Sequence, residues 1–146
     1  MPSYEASVVT NASAEAAWTA WTDVESWGQY DHIEAASVEG AFRPGAAITS
    51  KAKGFPSSTL TVTRVEPPRV WVDETRSPGL RMTFDHVVEP GEGGTRLTER
   101  VRISGPLARV LGPLLRRRLE ALFAASVAAV ARQAEAAEAQ TEPPAS

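Results

Sequence analysis

A chain of 146 residues with 42% hydrophobic and 23% charged side chains fits one ordinary globular domain, large enough to bury roughly two-thirds of its unfolded surface. A formal net charge of -3 gives no electrostatic case for nucleic acid. The absence of cysteine excludes disulfides, thiolate metal sites and a cysteine nucleophile.

The start, Met1-Pro2-Ser3-Tyr4-Glu5, has neither the basic opening nor the apolar run of a signal peptide, so a cytoplasmic protein is expected. Tyr4, Ala6 and Val8 alternate with Glu5 and Ser7, the period of a strand with one buried face, placed at about residues 3 to 11. Ser13 can cap a following helix by accepting from its free N–H groups, and Glu15 suits the positive end of the helix dipole. Ala14 to Thr22 therefore reads as a short helix carrying Trp18 and Trp21, with a second short turn of helix between Asp23 and Tyr30.

From residue 32 to 104 the pattern becomes short strands broken by Gly and Pro. Strands are predicted near 33–39, 47–53, 58–66, 69–76, 80–89 and 95–104. The breaks Arg43-Pro44-Gly45, Gly54-Phe55-Pro56, Pro67-Pro68, Ser77-Pro78-Gly79 and Gly91-Glu92-Gly93-Gly94 are turn-forming. Short connections predict antiparallel neighbours, and the first strand brings the total to seven.

After Gly105-Pro106, apolar residues from Leu107 to Val130 recur at helical spacing. Gly112-Pro113 is expected to kink or divide this helix, because proline removes a donor and clashes with the preceding turn. Its main piece, ending near Arg132, would span roughly 30 Å, enough to cross a small sheet. Residues 134–146 are expected to form a frayed tail behind a ligand-binding domain of residues 1–133. The longest uncharged apolar run, Ala121 to Ala131, falls far short of the ~20 residues that span a bilayer, so no membrane span is expected. The whole is an α+β fold: a seven-stranded curved antiparallel sheet, two short helices after the first strand, and a long C-terminal helix enclosing a cavity.

That order, with Asp23-Val24-Glu25-Ser26-Trp27, Pro78-Gly79-Leu80-Arg81-Met82, Phe84-Asp85-His86, Val88-Glu89-Pro90, Gly94-Thr95-Arg96-Leu97-Thr98 and Ser104-Gly105-Pro106-Leu107, resembles the polyketide cyclase/dehydrase branch of the START-like (SRPBCC, Bet v 1-like) helix-grip superfamily. The resemblance covers about residues 3 to 133 and implies a cavity for a small hydrophobic partner such as a lipid or polyketide. Three functions stand open under it: a carrier, a polyketide cyclase or dehydratase, and an interaction module of the kind found among chaperone co-regulators.

Strand parity names the side chains expected to face the cavity. Met82, Phe84, His86 and Val88 share one face of the sixth strand, and Leu97, Glu99, Val101 and Ile103 share one face of the seventh. With a hairpin at Gly91 to Gly94, His86 lies opposite Glu99. A carboxylate there would orient the imidazole and raise its pKa, making an acid–base pair; the competing reading is a satisfied polar pair at the pocket wall. In the fifth strand hydrophobicity does not choose between Trp71, Asp73 and Thr75 and the set Val70, Val72 and Glu74, while the family likeness implies that Trp71, and Asp73 with it, points inward. Trp27 and Tyr30 are candidates for the pocket mouth, and Leu111, Leu115, Leu119 and Phe123 for its helical wall. Arg116-Arg117-Arg118 reads as a solvated helix face. Two histidines without cysteine or clustered carboxylates give no metal constellation, and no cofactor is expected. The sequence leaves the oligomeric state open.

Overall fold

The computed structural model describes residues 2–141. Strand β1 (Ser3–Thr10) leads into helix α1 (Ala14–Thr22) and a 3₁₀ helix (Val24–Gln29). Then come β2 (Ile33–Val38), β3 (Ala47–Ala52), β4 (Ser58–Glu66), β5 (Val70–Ser77), β6 (Leu80–Gly91), β7 (Gly94–Ser104) and helix α2 (Ala108–Thr141). Ser13 caps α1 as its sequence position suggested, its hydroxyl accepting from the Ala16 N–H at 3.1 Å.

All seven strands form one antiparallel sheet in the order β1-β7-β6-β5-β4-β3-β2. Each strand from β2 to β7 pairs with its sequence neighbour, while β1 returns to the far edge beside β7. The two short helices must therefore carry the chain from one edge to the other. Bulges between Ile33 and Ala35 and between Val62 and Arg64 add local bend to the β2–β4 half. Helix α2 packs on β1, β7 and α1. Trp21, Ile48, Val62, Trp71, Val88, Leu97 and Val127 form one buried cluster; Val101, Ile103, Leu119 and Phe123 form another.

Two expectations for the long helix are corrected. The chain does not fray after residue 133: α2 continues to Thr141, Ala134 is fully buried, and the start of α1 holds the extension down. The Thr10 hydroxyl donates to Glu135, and the Ser13 N–H donates to Glu138 Oε1 at 3.0 Å. Alanine and glutamate are strong helix formers, so intrinsic propensity and these tertiary partners act together. Residues 142–146 of the expected tail lie outside the described residues. Nor does Gly112-Pro113 divide the helix, which runs through Pro113. Proline sits close to the N-terminus, where its ring meets only the first turn. Gly112 serves a separate purpose, since a Cβ there would come within 3.0 Å of Pro2 Cβ and 3.3 Å of the Tyr4 hydroxyl.

The sheet hands over to α2 at Gly105, which holds φ +105° and whose Cβ, if present, would meet the Gly79 carbonyl oxygen at 2.6 Å. Gly105→Ala is thus expected to cost about 2–3 kcal/mol, from a left-handed backbone and a backbone collision together. Chemical denaturation measures it, and a loss within about 0.5 kcal/mol would show that the corner relaxes freely.

Candidate functional site

Between the concave face of the sheet and α2 lies a cavity of about 350 Å³. The pleat of β5, β6 and β7 sends alternate residues into it, and α2 contributes Leu115, Leu119, Leu122, Ser126 and Val130, one stripe at helical spacing. The rest of the wall is dominated by Trp21, Trp27, Tyr30, Phe55, Leu60, Met82, Phe84 and Phe123, so the space is largely apolar.

Besides Tyr30 and His32, three titratable side chains interrupt that wall: Asp73, His86 and Glu99. Opposite His86 on β6 stands Glu99 on β7, the predicted register, and on the other side His86 pairs with Trp71 on β5. Asp73 lies two residues along β5 and points inward with Trp71 and Thr75; Glu74 turns to the convex face, where it accepts from Arg81 at 2.7 and 3.1 Å. The convex face also pairs Arg102 with Asp85 through two bonds of 2.8 Å. The outer carboxylates Glu74 and Asp85 thus have guanidinium partners, whereas among the described residues no Lys or Arg lines the cavity.

His86 Nδ1 lies 3.2 Å from the Trp71 carbonyl oxygen, and a carbonyl only accepts, so Nδ1 carries the proton. The ring stacks on the Trp71 indole at 3.5 Å between centroids and 1° between planes, and meets Trp21 edge-on at 5.3 Å. Burial pushes its pKa down to about 3, against smaller opposing effects of the Trp71 carbonyl and Asp85. Nε2 is therefore a bare acceptor, 3.8 Å from Glu99 Oε2 and beyond hydrogen-bond reach. Glu99 is pushed up to about 7 by burial, partly offset by Ser126. Asp73 is raised well above the usual carboxylate range by burial and next by the charge of Glu99. The expected carboxylate–imidazolium pair is corrected here: desolvation outweighs mutual attraction, and it drives both partners toward neutrality. Ser126 is the side-chain hydrogen-bond partner of the Glu99 carboxyl, but Glu99 Oε1 and Asp73 Oδ1 themselves have no partner among the described residues.

Residues 1–135 match the family model described as polyketide cyclase / dehydrase and lipid transport. The chain belongs to that family. Solved structures agree on the fold. The di-domain ARO/CYC StfQ from the steffimycin biosynthetic pathway aligns with a TM-score of 0.78 at 15% identity, over 94% of this chain and 52% of that one. Norcoclaurine synthase from Thalictrum flavum aligns at 0.71 and 13% identity, over 89% of this chain and 84% of that one. Ara h 8.0201 gives 0.64 at 13% identity, over 88% and 96%. This family member thus spans about half the length of the StfQ chain. No curated protein sequence matches it.

In this family member the predicted residues Trp27, Tyr30, Asp73, Met82, Phe84, His86, Glu99, Leu115, Leu119 and Phe123 all reach the cavity wall. Three others do not. Trp71 is fully buried behind the wall, stacked on His86. Leu97 pairs with Val8 and Val88 and packs in the core cluster that includes α1. Leu111 sits one helical turn before Leu115, short of the cavity. Reasoning from sequence left Trp21, Phe55 and Ser126 off the candidate site. Ser126 could have been found, since it continues the spacing Leu115, Leu119, Leu122 by one turn. Phe55 stands in a turn, where periodicity carries no signal. Among the described residues no group of three or more His, Asp or Glu is arranged to hold a metal, and no helix is long and apolar enough to cross a membrane.

Proposed function

We propose that the protein binds a small, largely apolar molecule in this cavity and orients it through Asp73 and Glu99. One observation carries the reading: two buried carboxyl groups, each with one oxygen lacking a hydrogen-bond partner, line an otherwise apolar space. A buried polar group left unsatisfied costs about 1–3 kcal/mol, a cost that a ligand with complementary polar atoms removes. The apolar wall supplies affinity by burying ligand surface, and the carboxyl groups fix its direction.

N-phenylnaphthylamine, whose fluorescence rises in apolar surroundings, tests this. Saturable enhancement at one equivalent is expected, and Ser126→Phe, which places a ring inside the cavity, should weaken it by about tenfold or more while the fold persists. Enhancement unchanged in Ser126→Phe would locate the probe elsewhere and contradict the reading.

A second reading, the cyclase or dehydratase, draws support from Glu99 alone. A carboxyl group titrating near 7 exchanges protons efficiently at neutral pH, whereas His86 is held neutral and fixed by Trp71. If the ligand is transformed, Glu99 moves the proton during an aldol-type cyclisation or dehydration, and His86 positions it. Glu99→Gln would then lower turnover about 10²–10⁴-fold with binding nearly unchanged. Equal turnover would remove Glu99 from the chemistry. The open cavity gives the interaction-module reading no support.

A further inference from the structure

We infer that the cavity selects apolar amines, taking the ammonium group against Asp73, Glu99 and His86; this rests on the ligand-binding reading above. Asp73 Oδ1 and Glu99 Oε1 are unpartnered, and both residues are buried on the cavity wall, 3% and 8% exposed. His86 spends its only N–H on the Trp71 carbonyl, so Nε2 is a third acceptor. These atoms come from three adjacent strands, with Glu99 directly across from His86 and Asp73 two positions beyond the residue opposite His86 on β5.

Among the described residues no Lys or Arg lines the cavity, and Arg132 acts on His32, adding to the burial that keeps that ring neutral. On β5 Thr75, and on α2 Ser126, add hydroxyl groups only, and His32 is held toward its neutral form by burial. Arg102 is spent on Asp85 across the convex face, and Asp85 adds further negative potential to Asp73 and His86. An acceptor-rich, cation-free patch matches a group with several N–H donors and a positive charge. An ammonium has three such donors, a hydroxyl one and a carboxylate none. The same patch repels a fatty-acid or other carboxylate ligand, which would place a third acid beside two without a counter-charge. Trp21, Trp27 and Phe84 offer rings to the ligand's apolar body and suit a nearby cation.

Tryptamine, tryptophol and indoleacetate have one ring system and nearly one volume, and they differ in carrying a cation, a neutral hydroxyl and an anion. Calorimetry at about pH 8, above the titration of Glu99, is expected to give tryptamine about tenfold or greater preference over tryptophol, with indoleacetate weakest. Tryptamine stays cationic at about pH 5, but there Glu99 holds its proton, so its advantage shrinks. Near pH 7 its binding releases protons, seen as heats that vary with the buffer, and tryptophol binding releases none. Asp73→Asn and Glu99→Gln each reduce the advantage of tryptamine over tryptophol several-fold. Tryptophol binding as tightly as tryptamine at about pH 8, or indoleacetate binding more tightly than tryptophol, overturns the amine assignment and leaves the cavity reading standing. If N-phenylnaphthylamine binds and none of the indoles does, the amine assignment likewise falls; if nothing binds, both fall.

Discussion

Trp71→Ala is expected to destabilise the protein by about 3–5 kcal/mol, the range for removing a fully buried aromatic side chain. Trp71 is the hub of an aromatic block: His86 stacks on it at 3.5 Å, Trp27 at 5.9 Å, and Phe42 and Trp21 meet it edge-on at 5.1 and 6.4 Å. Truncation removes all four contacts and leaves a void beside the ligand cavity. Trp71→Phe is expected to cost much less, for two reasons. It keeps a ring in the block, and it deletes the Trp71 indole N–H, which is buried without an acceptor. The Trp71 carbonyl is backbone and survives both changes, so His86 keeps its Nδ1 partner while losing its cover of indole. Its pKa should then climb from about 3 toward 6.5, a shift readable by imidazole NMR. Equal losses for the alanine and phenylalanine variants in urea denaturation would contradict the view that the ring is what matters.

Glu99→Gln should gain on the wild type as pH rises. The carboxyl titrates at about 7 in the folded chain and near 4.5 when unfolded. Between those values the native state holds a proton that the unfolded state has lost, so the stabilisation is complete below 4.5 and is lost as pH passes through about 7. A difference of about 2.5 pKa units corresponds to roughly 3 kcal/mol. Asp73, also raised, acts in the same direction. His86 acts oppositely: its depressed pKa favours folding above 6.5, and that contribution is lost as pH falls toward 3. Because His86 is common to both proteins its own contribution largely cancels, and the difference reports Glu99 together with the charge it exerts on Asp73, which acts in the same direction. Glu99→Gln is therefore expected to be more stable relative to wild type at pH 8 than at pH 4.5 by about 3 kcal/mol. A difference independent of pH would mean that water reaches Glu99 and keeps it ionised.

Why some of this was legible in the sequence and some was not follows from particular residues. Gly-Pro breaks are local chemistry, and they placed every strand within two residues of its observed ends. The alternation of Met82, Phe84, His86 and Val88 beside Leu97, Glu99 and Val101 fixed the β6–β7 register, because one slipped residue would turn Glu99 outward. Strand β5 resisted this logic, since a central strand is covered on both sides: Trp71 and Val72 are both buried although they face opposite ways. The extent of α2 was misjudged because alanine-rich sequence is compatible with fraying and with helix, and the partners that decide it, Thr10 and Ser13, are more than a hundred residues away. The charge state of the His86 and Glu99 pair was misjudged for a related reason. Spacing reveals that two groups meet, but the sign of their pKa shifts depends on how thoroughly Trp21, Trp71 and α2 exclude water, which is a tertiary property.

The central claim is that a small molecule occupies the space between α2 and the concave sheet, and the four indole N–H signals test it most directly. Titrating tryptophol into isotope-labelled protein should shift the signals of Trp21 and Trp27, which line the cavity, along one saturating curve, and leave that of Trp18 nearly still. Shifts confined to amides on the convex face, around Arg81 and Arg102, or indole signals that never saturate, would contradict it.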